Sequence, residues 1–379
     1  KVFSTPFYQF SEVDNSEKVN IPDFTMNDLL CEGMERTSWC PNNPMSLGGL
    51  ARTSDVMPAN IGGTLNMIVV LVRFQDHESR NLPSRETYET LFNSDIEEPD
   101  IAPTGSVKNY YKTISYGKFS IQATVQDWVT IPETEEESSF GKHGLSSRFG
   151  KVATKALETM DARGVNWEDY DRDGDGLIDA IFIITSGYAA EGGGTDCVNN
   201  KEWGTHRIWS HRATVPNEPV YFHSADRKVR MASYATTSGL IGSCKERPCR
   251  IGVICHETGH LFGLPDMVGS VGSGVGVFDI MGQMWGVDGS QYHPGMMGAF
   301  SKQFVGWIKP QILKSSGVYT IRASANFEDA YRIDEGFPDG EYLLIENRQA
   351  LYFDNLIPST GLMIWHVDEN LLDDYQSRP

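Results

Sequence analysis

The apolar positions of this chain change period several times, and each change marks an element. Met67-Ile68-Val69-Val70-Leu71-Val72, within residues 65–74, is an unbroken apolar run of strand length. Such a run predicts a strand covered on both faces. Asp76 and His77 follow it and read as turn residues. Val107, Tyr110, Tyr111 and Ile114 recur at helical spacing behind a Ser106 cap, and Gly117 stops that helix. Residues 119–131 alternate as a strand and end at Pro132. The acidic stretch 133–137 reads as a solvated loop. Beyond it, Phe149, Val152, Ala153, Ala156, Leu157 and Met160 form one stripe of an amphipathic helix. Residues 180–185 are a second buried strand, 191–194 a flexible glycine-rich connection, and 208–211 and 229–236 further strands.

The two ends of the chain are patterned differently. Residues 1–62 are irregular, broken by Pro6, Pro22, Pro41, Pro44 and Pro58. Past Pro310 short alternating strands at 318–321, 331–333, 341–345 and 361–366 are separated by Gly, Pro and Asp turns, the pattern of a β-rich unit. The expected organisation is an irregular N-terminal segment (1–62), an α+β domain (63–309) and the start of a β-rich C-terminal domain (310–379).

The stretch Cys255-His256-Glu257-Thr258-Gly259-His260-Leu261-Phe262-Gly263-Leu264-Pro265-Asp266 carries the chemistry. Residues four apart share a helix face, so His256 and His260 are placed to grip one metal ion. Glu257 sits beside them as a base for an attacking water. Gly263 permits a left-handed helix end and Pro265 forbids continuation, so the chain turns and presents Asp266 as a third ligand. Three protein ligands with a fourth position open is the arrangement of catalytic rather than structural zinc. Downstream, a Met281 in the tight turn 278–282 is packing beneath the metal, because a thioether is a poor zinc ligand. Tyr292 and His293 are within reach in sequence but have no spacing argument behind them.

A second metal motif lies at Asp171-Arg172-Asp173-Gly174-Asp175-Gly176-Leu177-Ile178-Asp179. Alternate carboxylates followed by a glycine let a short loop wrap oxygen ligands around calcium, with Asp171, Asp173, Asp175, the Leu177 carbonyl and Asp179 as the expected ligands. Phe182 stands where an EF-hand would carry its last ligand, so the loop is not an EF-hand. An acidic turn without metal is the alternative, weakened by the mutual repulsion of the carboxylates.

Composition narrows the partners. The 379 residues are 40% hydrophobic with a formal net charge of -19, which fits a globular protein and opposes binding to nucleic acid or anionic membrane. No apolar run approaches the ~18 residues of a membrane span. Six cysteines (Cys31, Cys40, Cys197, Cys244, Cys249, Cys255) in an acidic chain point to disulfides and an oxidising compartment. Two readings stand open for Cys31 and Cys40. They form a local disulfide, or one supplies a thiolate to the open zinc position in a latent enzyme; Asp23 offers a carboxylate for the same purpose.

These features together resemble the immune inhibitor A family of secreted zinc metallopeptidases, a metzincin-like group. The resemblance rests on His256-Glu257-x-x-His260-x-x-Gly263-x-x-Asp266 and on Phe278-Asp279-Ile280-Met281-Gly282, similar to a Met-turn. Tyr110-Tyr111, residues 115–119, the Asp171 loop, residues 209–212, Glu346-Asn347-Arg348 and residues 361–368 add to it, over roughly 65–379. It implies a zincin catalytic domain with a twisted mixed sheet, made as a precursor and acting on protein or peptide substrates as a monomer. Zinc would be held by His256, His260 and Asp266, with Glu257 as base, Met281 in the turn and calcium stabilising the fold. Gln283 stands where some metzincins carry an extra tyrosine ligand. The rival expectation is a non-catalytic adhesin or scaffold that keeps its metal for stability.

Overall fold

The structure is a computed structural model and describes residues 16–21, 61–198, 206–214, 221–223, 228–244, 247–268 and 274–371. In chain order the elements are β1 (Ser16–Ile21), β2 (Gly63–Arg73), α1 (Arg85–Asn93), α2 (Val107–Ile114), β3 (Phe119–Thr130), α3 (Glu135–Ser139), α4 (Ser147–Ala162) and β4 (Ile181–Tyr188). Then come β5 (His211–Thr214), β6 (Tyr221–His223), β7 (Lys228–Arg230), β8 (Ser233–Ile241), β9 (Arg247–Pro248), α5 (Ile251–Leu261) and α6 (Ala299–Phe304). The last strands are β10 (Gln311–Ile312), β11 (Gly317–Arg322), β12 (Tyr331–Ile333), β13 (Glu341–Arg348) and β14 (Gly361–Asp368).

The architecture is mixed α/β. The central sheet runs β3-β2-β4-β8-β5, with β9 also on β8. Pairs β2–β3, β2–β4 and β4–β8 are parallel, whereas β5 and β9 run antiparallel to β8. Strand alternation explains the unbroken apolar runs. Met67, Val69 and Leu71 of β2 and Phe182 and Ile184 of β4 face one core, with residues of α1, α2 and α5. Ile68, Val70, Val72, Ile181 and Ile183 face the other, against the Phe149–Met160 stripe of α4. A parallel sheet with helices on both faces has no solvated side to call for polar residues. Cutting Val70 or Ile183 back to alanine should therefore cost a few kcal/mol, about 2–4.

Local rules account for the elements around the sheet. The Ser106 hydroxyl accepts from the Asn109 amide at 3.2 Å while the Asn109 side chain accepts from the Ser106 amide at 3.0 Å, a reciprocal cap on α2. The acidic stretch 133–137 departs from its reading as a solvated loop. Thr134 caps α3, Glu137 closes the capping box, and Glu135 is buried. The Thr-x-x-Glu signature was present in the sequence and outranks the charge density. Residues 190–192 likewise form a short 3-10 turn, and Glu191 takes hydrogen bonds from Ser210.

Towards the C-terminus, β10-β12-β13-β14 form a four-stranded sheet and β1 pairs antiparallel with β11. Hydrogen bonds cross residues 309 and 310: Lys302 Nζ and the Tyr116 hydroxyl both donate to the Ser324 carbonyl, at 3.0 and 2.8 Å. The Trp307 indole donates to the Ile61 carbonyl at 2.7 Å. Among the described residues no helix is long and apolar enough to cross a membrane.

Candidate metal centre

Helix α5 lies on the sheet face shared with α1 and α2, and ten of its eleven residues are buried. His256 and His260 project from it one turn apart, with ring centroids 4.8 Å apart and planes at 88°. Gly263, at φ 84°, makes the left-handed reversal that only glycine adopts without strain. Asp266 is thereby returned towards the helix. Its Oδ1 lies 3.1 Å from His256 Nε2 and 3.4 Å from His260 Nε2. One ligand atom from each of the three residues falls within 4.8 Å of the others.

The other ring nitrogens orient the imidazoles. His256 Nδ1 is 2.8 Å from the Ile280 carbonyl and His260 Nδ1 is 2.8 Å from the Leu264 carbonyl. A carbonyl only accepts, so each Nδ1 carries the hydrogen and each Nε2 keeps its lone pair for a metal. When the imidazoles are protonated at Nε2 instead, burial works to raise the Asp266 carboxyl, but their hydrogen bonds and charge outweigh it and hold it below the ordinary carboxylate range.

Glu257 is buried, and its Oε2 has no hydrogen-bond partner. Burial pushes this carboxyl up to about 8, against the opposing pull of His256 and with the added repulsion of Asp266 and Glu191. A carboxyl raised in this way is tuned for proton transfer near neutrality.

The turn at 278–282 closes the site from below. A Cβ added at Gly259 would stand 2.5 Å from Met281 Sδ, so the helix has no side chain there because Met281 occupies the space. Asp279 holds the turn. Its Oδ1 accepts from the Met281 amide at 2.9 Å, and its Oδ2 accepts from the Gly298 amide and the Ser301 hydroxyl, both at 2.7 Å. Arg348 on β13 donates to the Phe278 carbonyl and to Asp354. The Tyr111 hydroxyl donates to the Cys255 carbonyl, tying α2 to the residue before His256.

At the Asp171 loop, Asp171, Asp173 and Asp175 come within 4.8 Å of one another. That trio does not include Asp179, whose Oδ2 accepts from the Arg172 amide at 2.7 Å. The Leu177 amide donates to Asp175 Oδ1, which tightens the loop. His211 is satisfied by the Trp209 carbonyl at 2.8 Å and packs on Phe149 and Tyr234. His293 pairs with Asp288, and the Arg250 guanidinium lies over the Tyr292 ring. Cys197 is bonded to Cys244, in the connection ahead of α5, whereas Cys249 and Cys255 are buried thiols. Cys31, Cys40 and Asp23 lie outside the described residues. Local pattern assigns no role to Glu191, whose partner Ser210 is remote in sequence, and of the bonds of Asp279 only the one to the Met281 amide is local, since Gly298 and Ser301 lie about twenty residues on.

Comparison with known proteins bears on the same region. The profile of the immune inhibitor A peptidase M6 catalytic domain matches residues 68–311. Immune inhibitor A of Bacillus thuringiensis subsp. alesti is 28% identical over 240 residues, covering 53% of this chain and 33% of that protein. The match thus spans about a third of the relative's own length. With residues 68–311 making up more than half of its length and holding both histidines, Glu257, Asp266 and Met281, the chain belongs to the immune inhibitor A peptidase M6 family.

Proposed function

We propose that the chain is a secreted zinc-dependent endopeptidase in which His256, His260 and Asp266 hold the metal and Glu257 is the general base. The observation that carries this reading is one arrangement: two imidazoles with Nδ1 engaged, both Nε2 atoms facing Asp266 Oδ1, and the unpartnered Glu257 carboxylate beside them. Two imidazoles and one carboxylate are a donor set that suits zinc and leaves a coordination position open. Zinc bound there supplies Lewis acidity, lowering the pKa of water and polarising a scissile carbonyl.

The remaining work belongs to the protein. Glu257 accepts the proton of the attacking water at its carboxylate and returns it to the leaving amine. Asp279 and Arg348 keep the Met281 turn against Gly259, so the histidine-bearing face of α5 does not drift. Ile280 and Leu264 fix both imidazole tautomers through their carbonyls. The Asp171 loop is assigned to calcium, and the Cys197–Cys244 bond suits an oxidising, extracellular setting. A latent form restrained by residues 1–62 through Cys31, Cys40 or Asp23 belongs to the same proposal. So do the divisions at 62/63 and 309/310, monomeric action, and protein or peptide substrates.

The alternative is a metal-stabilised adhesin or scaffold. A structural site has no use for a buried, unpartnered carboxylate beside an open position, so Glu257 favours the enzyme. The test is casein digestion by wild type and by Glu257→Ala, with zinc content measured in both. The expected result is retained zinc with activity lost by several orders of magnitude. Full activity in the variant would overturn the assignment of the base, and chelator-insensitive digestion by wild type would overturn the metal mechanism.

A further inference from the structure

A second buried group of ligand-type side chains stands beyond the ends of β2 and β4. His77 lies in the 3-10 turn that follows β2, Glu135 opens α3, and Asp196 lies in the connection after β4. One ligand atom from each falls within 4.8 Å of the others, and none of the three is more than 1% exposed. Carboxyl groups so deeply buried must be paired, meet a cation or hold a proton.

Their partners account for some of these atoms and leave others open. His77 Nδ1 is held by the Ser186 hydroxyl at 2.9 Å. Asp196 accepts from Arg80 Nη2 at 2.6 Å and from the Val198 amide at 2.9 Å. His77 Nε2 and Glu135 Oε1, however, have no hydrogen-bond partner, and His77 Nε2 stands 3.5 Å from Glu135 Oε2, too far for a good hydrogen bond. Leaving such atoms unmet carries the full desolvation penalty of each. Strand β4 makes room for this carboxylate, since a Cβ at Gly187 would overlap Glu135 Oε1.

The arrangement repeats features of the centre on α5. An imidazole has one nitrogen engaged and the other facing a carboxylate oxygen, at 3.5 Å here against 3.1 and 3.4 Å there. Arg80 orients Asp196 as a hydrogen-bonding residue orients a metal-bound carboxylate. The charge of the patch points the same way. Asp76, Glu135, Glu191 and Asp196 interact electrostatically with the guanidiniums of Arg80 and Arg207, and with all four carboxyls ionised a divalent cation brings these six groups to neutrality.

We propose that His77, Glu135 and Asp196 bind a further divalent ion of the zinc class, with a structural role, separate from the α5 centre and the Asp171 loop. One imidazole and two carboxylates are hard-to-borderline donors, suited to zinc more than to calcium. The ion would join the turn after β2, the start of α3 and the connection carrying Glu191, whose charge acts on Glu257.

The test uses the full chain carrying His256→Ala and His260→Ala, loaded with zinc in excess calcium, freed of unbound metal and measured for metal content. The expected result is about one zinc retained per chain, lost when Glu135→Gln or His77→Gln is added. A folded double variant that retains no zinc overturns the proposal and leaves water as the occupant of the gap. Zinc retention indifferent to both further substitutions overturns it equally. Should the double variant fail to fold, the otherwise wild-type chain decides by stoichiometry. Two zinc ions, falling to one in Glu135→Gln, support the proposal, whereas one in both overturns it.

Discussion

Arg348 donates from Nη1 to the carbonyl oxygen of Phe278 at 2.8 Å, so a strand of the C-terminal sheet holds the turn that carries Met281. The same guanidinium reaches Asp354 at 2.6 Å and the Met296 carbonyl at 3.2 Å, and Arg348, Asp354 and Met296 are all buried. Removing one partner of a buried ion pair strands the other, which costs about 3–5 kcal/mol. Arg348→Met should therefore lower stability by that order. Arg348→Lys keeps the charge but not the forked geometry. In that variant zinc affinity, read by competition with a chromogenic chelator, should fall about 10–100-fold. Unchanged affinity in Arg348→Lys would show that the turn stands without its brace.

Gly259→Ala sets helix propensity against packing. Alanine gains about 1 kcal/mol over glycine in a helix interior. Here its methyl would stand 2.5 Å from Met281 Sδ, and overpacking costs about 1–3 kcal/mol. The variant should melt lower than wild type and bind zinc less tightly. Adding Met281→Ala should recover part of the loss, so the double-mutant cycle should be non-additive by about 0.5–3 kcal/mol. Additive melting losses would place the two side chains out of contact.

Calcium should stabilise the chain through the Asp171 loop. Three carboxylates within 4.8 Å repel one another unless a cation intervenes. At a hundredfold excess over its dissociation constant, one bound ion contributes about 2.7 kcal/mol. Thermal melts with calcium against melts in a calcium-selective chelator should differ accordingly, and Asp173→Asn with Asp175→Asn should abolish the difference. A calcium response that survives both substitutions belongs to another site.

Lys302 gives a pH signature. Burial pulls its amine down to about 8, although Glu346 works to raise it. The folded pKa lies below the unfolded value of about 10.4, so the unfolded chain binds more protons between the two. Its stabilising contribution is full above pH 10.4 and is lost as pH falls through 8. Compared with Lys302→Met, wild type should gain up to ~3 kcal/mol of relative stability between pH 8 and 10.4. Denaturant unfolding of both proteins at pH 7.5, 9 and 10.4 measures this, and parallel curves would mean that the amine titrates normally.

The readable parts of the chain were those governed by local rules. Period and caps located β2, α2, β3 and α4, because each buries a face that its own side chains define. The spacing from His256 to Asp266 predicts a shared face and a reversal at Gly263, and the structure brings those three ligand atoms together. What stayed hidden depends on distant partners. The acidic neighbours of Glu135 predict solvation, yet its burial is decided by His77, Gly187 and Arg80, more than fifty residues away. His77 read as a turn residue, and it is one, but no local pattern reports that Ser186 and Glu135 enclose its ring. The bonds from Asp279 to Gly298 and Ser301 and from Arg348 to Phe278 are hidden for the same reason, although both residues stand inside motif strings.

The bond from Arg348 to Phe278 also bears on biosynthesis. Helix α5 is complete once residue 261 has been made, and Met281 follows soon after. The turn nevertheless stays unbraced until Arg348 and Asp354 have left the ribosome, about ninety residues after α5 at a rate of about 5–20 residues per second. A nascent chain thus carries His256, His260 and Asp266 for several seconds before Arg348 and Asp354 arrive. The order of residues in the gene sets the contact of Arg348 with Phe278 to form after α5 and the Met281 turn have been made.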